Sequence, residues 1–553
     1  MEMSGGEKDK ETKINLANAD SSAYAPSPQT NPQAKTQTDP SSSSTSAAAT
    51  ANEGIEPQKE KKEIEIVKLF RKHGLFINSG AIGELKEKNI EIILEIIEKL
   101  KELHKEDMVM IGETELKEVT QEIKLPGFAD ISRPSGFRPL AKELGHDFKI
   151  HTERDISGKS KCGGDIEDFV KNVNDRFMRI KSILESRPSQ NQVVKLERAK
   201  SQVGDLIRVI GMVMRKNVTK KGHLSLEIED ETGTLFILIL RDDKEAFEKA
   251  NKVIKDDIIA IDVKVGTNFC MAKDITWPDM PVKAKKTIEK DLSIAFISDM
   301  HIGSKYFCDK EFERMIKWLN GMGPHKEVAE KIGYILMAGD VVDGIGNYPK
   351  QEYDLVVKDV FEQYRLAQKM FEMIPDHIKI ILIPGNHDAV RLAEPQPALK
   401  EEMIGKLPNV ISIGNPGFAN VEGLETILYH GVSIGSMSAN VPGLTPARPE
   451  EAVVELLKRR NLAPIYDEND IAPEHSDYHF IGNCDMINTG HMHKNGYTEY
   501  RGCVVVTSGT WQWLTEYQVK QGHVATPCVL PIYNLKEGRI VHLNFAEEQI
   551  KML

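Results

Sequence analysis

Five short segments between residues 299 and 493 each follow an apolar run and end in residues that bind metals. They are Asp299-Met300-His301, Gly339-Asp340-Val341-Val342-Asp343, Gly385-Asn386-His387-Asp388, His430-Gly431 and Gly490-His491-Met492-His493. Carboxylate, amide and imidazole donors arriving from five strand ends can hold two divalent cations side by side. A carboxylate shared between them keeps the pair about 3.5–4 Å apart, and a bridging water then loses its proton near neutral pH. The resulting hydroxide is a nucleophile for a phosphate ester. The leaving alkoxide needs a proton or a positive partner, and His387 could supply it.

Each segment alone is weak. A lone D-x-H is common, and a lone His near a strand end is more often hydrogen-bonded structure than a ligand. The weight lies in the set, because all five occur directly after apolar runs. Residues i and i+2 of an extended chain point the same way, so Asp299 with His301, and His491 with His493, would each present two donors to one face. A glycine before Asp340 and before Asn386 would let the backbone turn toward the metals.

The elements that must position these residues are short buried strands. Leu292 to Ile297, Tyr334 to Met337, Ile378 to Ile383, Ile427 to Tyr429, Asp485 to Asn488 and Val504 to Val506 have that length and character. Helices are expected over Lys310 to Leu319 and Leu355 to Met373. Residues 286–553 therefore read as an α/β domain, a two-sheet sandwich flanked by helices. Trp511 and Trp513 follow the last of these strands and could line the cleft, pack in the core or face a partner.

Ahead of it, residues 192–285 alternate as short strands do: Leu206 to Met214, Leu224 to Glu229, Thr234 to Leu240 and Ile258 to Val265, with a helix-like stretch from Lys244 to Ile254. This is the layout of a small OB-type β-barrel. Phe236 and Phe269 are its main candidates for base stacking, and Lys and Arg only slightly outnumber Asp and Glu there. Packing against neighbouring domains is thus the stronger expectation. The cluster Arg215, Lys216, Lys220 and Lys221 is the DNA-binding candidate.

Residues 106–191 form a connecting region with a helix over 165–187. Asp165 suits its N-cap, and Phe169, Val173, Phe177, Ile180 and Leu184 its apolar face. Gly158-Lys159-Ser160 resembles the end of a phosphate loop, but Glu153 stands where the first glycine belongs, which excludes that motif. Residues 61–105 read as a small α-helical interaction domain. Ile64, Ile66, Val67, Phe70 and Leu75, then Ile90, Ile92, Ile93, Ile96, Ile97 and Leu100, recur at helical spacing. Residues 1–60 combine a charged tail with a low-complexity stretch, 17 to 58, too poor in apolar surface to fold.

At 553 residues the chain exceeds one hydrophobic core. Its apolar runs are too short to span a bilayer, and its N-terminus lacks the layout of a signal peptide. Six scattered cysteines without a C-x-x-C pair argue against a zinc finger or a disulfide framework, so a cytoplasmic location is expected. The net charge of −12 excludes a chain that grips nucleic acid by bulk basicity.

The motif set D-x-H, G-D-x-x-D, G-N-H-D, H and G-H-x-H resembles that of the calcineurin-like metallophosphoesterases. The resemblance implies that Asp299, His301, Asp340 and His493 hold one metal. Asp340, Asn386, His430 and His491 would hold the other, with Asp340 bridging. It makes His387 the acid or transition-state stabiliser and Asp343 the residue that orients it. Manganese is the metal it implies for a nuclease, and the N/O donor set also suits iron or zinc. The wider layout resembles the small subunits of archaeal family D DNA polymerases. So do the segments Ile166-Glu-Asp-Phe-Val170, Asn174-Asp-Arg-Phe177, Lys458-Arg-Arg-Asn-Leu-Ala-Pro464 and Ile471-Ala-Pro-Glu-His475. That implies a 3′-5′ proofreading exonuclease acting on single-stranded or mismatched DNA ends, beside a large catalytic polymerase subunit. The related accessory subunits of eukaryotic polymerases have lost the ligands, whereas every position is filled here. The competing readings are a non-catalytic scaffold, a stand-alone repair nuclease and a phosphatase of small substrates.

Overall fold

The computed structural model describes residues 56–85, 90–103, 109–112, 116, 134, 136–520, 522 and 524–553. The charged tail and most of the low-complexity stretch lie outside the described residues, as do parts of the connecting region. The chain divides into two compact units, Met1–Ile123 and Lys124–Leu553.

In the first unit, helices Glu56–Lys72, Ser79–Leu85 and Ile90–Leu103 accompany two short strands, Leu75–Ile77 and Val109–Ile111, paired in parallel. The expected all-helical domain is therefore mixed, and the pairing carries it past residue 105. Leu75 and Ile77 alternate with Phe76 in a short β-rich run that a helical periodicity search absorbs. Ile66, Phe70, Leu75, Ile93, Ile96, Ile97 and Leu100 form its core, while Ile64 stays exposed.

In the second unit a short helix, Leu140–Leu144, precedes a strand that the sequence did not advertise. Phe148–Ile150 pairs antiparallel with Gly417–Val421 and completes the edge of a six-stranded sheet. Helix Ile166–Glu185 follows, burying Phe177, Ile180 and Leu184, with Phe169 exposed. Asp165 occupies its N-cap position without a side-chain capping bond. Arg176 locks it to Asp477 through a buried 3.0 Å ion pair. Next comes a closed five-stranded barrel of Leu206–Val218, Leu224–Asp230, Gly233–Ile239, Ile258–Val265 and Cys270–Thr276, around an aliphatic core. Cys270–Thr276, with a charged Lys273-Asp274 pair inside it, is the strand missed from the sequence.

The remaining chain builds two stacked sheets. The first runs Val410–Ser412, Lys379–Ile383, Ile332–Ala338, Ser293–Ile297, Val529–Asn534, Arg539–Asn544 and Lys551–Met552 in order. The second runs Gly496–Tyr500, Cys503–Thr507, Met486–Thr489, Leu424–Tyr429, Gly417–Val421 and Phe148–Ile150. Strand periodicity shows why both faces are apolar. In Ser293–Ile297, Ile294 and Phe296 face the core between the sheets, whereas Ala295 and Ile297 face the core under helices Asp309–Leu319 and Val360–Glu372. Helices Ser433–Asn440 and Pro449–Arg459 cover the outer face of the second sheet. The helix expected from Leu355 starts only at Val360, where the Asp359 side chain accepts from Glu362 N–H.

Four neighbouring strands of the first sheet run parallel, Ser293–Ile297, Ile332–Ala338, Lys379–Ile383 and Val410–Ser412, as do three of the second, Leu424–Tyr429, Met486–Thr489 and Cys503–Thr507. Their C-terminal ends therefore gather at one edge of the sandwich, where open α/β sheets hold ligands.

Candidate metal centre

Asp299, Asp340 and Asn386 follow the first sheet's parallel strands, and His430 and His491 follow the second's. The turns are stitched together before any side chain is considered. Asp299 N–H donates to Gly339 O at 3.0 Å, Met300 N–H to Asp340 O at 2.8 Å, and Gly490 N–H to His430 O at 2.9 Å. Such crossing requires close backbone approach. A Cβ on Gly385 would stand 2.2 Å from Asp340 Oδ1 and 2.6 Å from Asp340 N, and one on Gly490 would stand 2.6 Å from Asp299 Oδ2.

The backbone here is not extended, as the i, i+2 argument requires. Asp299 (φ 52°), His301 (φ 52°), Asp340 (φ 52°), His491 (φ 65°) and His493 (φ 54°) all lie in the left-handed region. Each such residue costs about 1–2 kcal/mol. Strain concentrated on five donor residues marks a site that the rest of the fold holds in place.

The side chains converge in two groups. His493 Nε2 lies 3.4 Å from Asp299 Oδ1 and 3.0 Å from His301 Nε2. His430 Nε2 lies 3.4 Å from Asp340 Oδ2 and 2.8 Å from Asn386 Oδ1, which is itself 3.0 Å from His491 Nδ1. Asp340 Oδ2 also stands 3.7 Å from His301 Nε2, so it faces both groups. All seven expected metal-binding residues thus meet around one small volume.

The donor chemistry fits divalent cations. Asp299 and Asp340 are fully buried, and among the described residues their ion pairs are with imidazoles and never with Lys or Arg. His430 Nδ1 donates to Ala338 O at 2.8 Å, so Nε2 is the ring atom that faces Asn386 Oδ1 and Asp340 Oδ2. Oxygen donors converging on that atom in the interior call for positive charge, supplied by a proton on His430 or by a bound cation. Burial opposes ionisation of Asp340, yet His430 and His387 hold its carboxyl well below the usual carboxylate range. Burial would lower His430, but Asp340 outweighs it and pushes His430 up to about 10, a field that attracts positive charge. Burial and the neighbouring His430 push His491 down to about 3, leaving a neutral donor.

His387 sits at the mouth, its ring edge-on to His301 at 4.6 Å. Its Nδ1 donates to the Asp343 carbonyl at 2.8 Å, and Asn347 Nδ2 stands 3.2 Å away. The Asp343 carboxylate is nearer to His301 Nδ1, at 3.0 Å, than to His387 Nδ1, at 3.8 Å. It serves chiefly the His301 imidazole, while the Asp343 backbone holds His387.

Several supporting residues escaped the sequence reading. Asp388, at the end of the Gly385 segment, accepts from Gly385 N–H at 2.9 Å, Val341 N–H at 3.2 Å and Tyr364 OH at 2.9 Å, tying two of the turns together. Gln351 and Gln512 donate to the Asp343 carboxylate at 3.0 and 3.2 Å. Asp388 had a visible signal as the last residue of the Gly385 segment, and Gln512 as the residue between Trp511 and Trp513; Gln351 had none. Trp511 itself is core: it is buried edge-on against Phe312, and its N–H donates to Asp299 O at 3.0 Å. Trp513 is 40% exposed.

Of the basic cluster, Arg215, Lys220 and Lys221 are exposed. Lys216 is a correction: its ammonium donates to Asn251 O at 2.8 Å and Val253 O at 2.6 Å, closing the end of helix Lys244–Asn251. It is committed within the barrel and is not a free contact for phosphate.

The family model for calcineurin-like phosphoesterases matches residues 292–495, a span that holds every residue of the cluster. The DNA polymerase II small subunit of Methanothermobacter thermautotrophicus is 34% identical over 85% of this chain and 98% of its own length. That of Methanocaldococcus jannaschii is 40% identical over 72% of this chain and 68% of its own. The Archaeoglobus fulgidus protein is 39% identical over 71% and 80%. This chain belongs to the DNA polymerase II small-subunit family. In this member the metallophosphoesterase domain carries a full set of donors, and divalent metal ions are what that domain type binds. No helix among the described residues is long and apolar enough to cross a membrane.

Proposed function

We propose that this chain is the nuclease-bearing small subunit of a two-subunit replicative DNA polymerase, hydrolysing phosphodiester bonds at single-stranded or mismatched 3′ ends. The observation that carries the reading is the complete convergence of seven metal donors, with His387 at the mouth. A scaffold would have no reason to keep five strained residues and two buried carboxylates whose ion pairs are with imidazoles alone. Two divalent ions, manganese by preference and iron or zinc by donor type, would be held by Asp299, His301 and His493 on one side. Asn386, His430 and His491 would hold the other side, with Asp340 between. Bound there, they would supply an activated hydroxide and charge for the phosphoryl oxygens.

The chain's own residues do the rest. His387, with Nδ1 fixed on the Asp343 carbonyl, has Nε2 left to protonate the departing 3′-oxygen. Asp343, through its carboxylate, sets the ring angle of His301. The barrel reads as an OB-type docking platform, with Arg215, Lys220 and Lys221 as its candidate DNA contacts and the N-terminal unit as an interaction module. A net charge of −12 fits a chain that shares its DNA with a larger polymerase subunit.

The test combines the full chain with that large subunit, manganese and a 3′-mismatched primer. Removal of the mismatch before extension, with slow turnover of a chromogenic phosphate monoester, is the expected result. Faster monoester than DNA hydrolysis would point to a phosphatase. An inert but complex-forming chain would point to a scaffold.

A further inference from the structure

A row of rings leads outward from the metal cluster. His387 is followed by Tyr348 at 6.4 Å, and Tyr348 stacks on Tyr517 at 5.3 Å with planes 20° apart. Tyr348 is half-buried, with its hydroxyl tied to Asp354 at 3.3 Å. Tyr517 rests one ring face on Tyr348 and still remains 43% exposed.

The position of Tyr517 is fixed from a second direction. The next residue, Gln518, lies 3.2 Å from His493 Nδ1 through its side-chain nitrogen. Thr515 and Gln518 also exchange reciprocal hydrogen bonds at 3.1 Å, the arrangement of a capping box, which anchors the short helix Glu516–Lys520. An exposed aromatic is therefore held firmly beside a metal-binding residue. Packing alone explains the Tyr348 side of the ring but not the exposure that remains.

We infer that the exposed ring of Tyr517 is a stacking platform for a nucleobase of the strand being cut, at one of its last two 3′ positions. The inference rests on the nuclease reading of the metal centre. An exonuclease must accept every base in turn, and stacking is the grip that does so, because each base presents a π-face. Hydrogen bonding to base edges would instead make the enzyme stall at particular sequences.

The full chain with manganese should be assayed on single strands that are intact or abasic at either of the last two 3′ positions. Stacking predicts that an abasic residue at one of these positions slows cleavage by roughly ten-fold. Tyr517→Ala should erase that preference, and Tyr517→Phe, which keeps the ring, should retain it. Equal cleavage of intact and abasic strands by the unaltered chain overturns the inference while leaving the nuclease reading in place. A preference that survives in Tyr517→Ala, or is lost in Tyr517→Phe, overturns it as well. Failure to cut any strand overturns the nuclease reading itself and this inference with it.

Discussion

Asp343 Oδ1 stands 3.0 Å from His301 Nδ1, and the carboxylate is held there by Gln351 and Gln512. An outer partner of this kind fixes the imidazole's tautomer and raises its basicity. Asp343→Asn should lower metal affinity by roughly 10–100-fold. Titration of the metal-stripped chain with manganese would measure it. Unchanged affinity with a fallen kcat would return Asp343 to the service of His387 alone.

His387→Ala should keep its metals and lose hydrolysis, by roughly 10²–10⁴-fold in kcat, the usual worth of a positioned acid. Elemental analysis beside a 3′-end assay separates the two properties. Normal turnover would remove His387 from the reaction, and loss of both metals would make it a ligand.

Asp340→Asn should be the most damaging single change to metal content, since Asp340 Oδ2 faces both groups of donors. Neutral Asn cannot balance two cations, and the variant should retain about one metal or fewer. Circular dichroism should show the fold intact. Full occupancy of both sites would exclude a shared carboxylate.

Acid should loosen the helix Ile166–Glu185. Asp477 is buried, which would raise its carboxyl, but Arg176 outweighs burial and holds it well below the usual carboxylate range. The unfolded chain, with an ordinary value of about 3.9, then binds more protons in the window between the two values. Stability is fully present above about pH 4 and is lost as pH falls through that window. Thermal melts from pH 6 to pH 2.5 should show a falling midpoint. Asp477→Asn should be less stable at pH 6, by about 3–5 kcal/mol, and show a flatter pH slope. An equally steep slope in the variant would exclude this pair as the cause.

The candidate metal-binding residues were legible because they follow apolar strands, and strands such as Ser293–Ile297 and Lys379–Ile383 are visible from composition alone. The way they are presented was not. Nothing in Asp299-Met300-His301 signals two consecutive left-handed donors, because that conformation is imposed by bonds to Gly339, Asp340 and Trp511 from distant turns. Lys216 looked like one of four surface cations, yet its amine is spent on the carbonyls of Asn251 and Val253, a tertiary contact without a local pattern. Phe148–Ile150 is too short and too charged at Lys149 to read as a strand, and exists because Gly417–Val421 offers it an edge.

That last strand bears on how the protein is made. Phe148–Ile150 leaves the ribosome before the barrel, but its partner Gly417–Val421 emerges roughly 270 residues later. At translation rates of roughly 5–20 residues per second, the wait is roughly 15–50 s. The barrel, whose strands all pair within residues 206–276, can close during that interval. The sandwich cannot, so the nascent chain carries a finished barrel behind an edge strand whose sheet does not yet exist, and the candidate donors converge only after both sheets have begun to form.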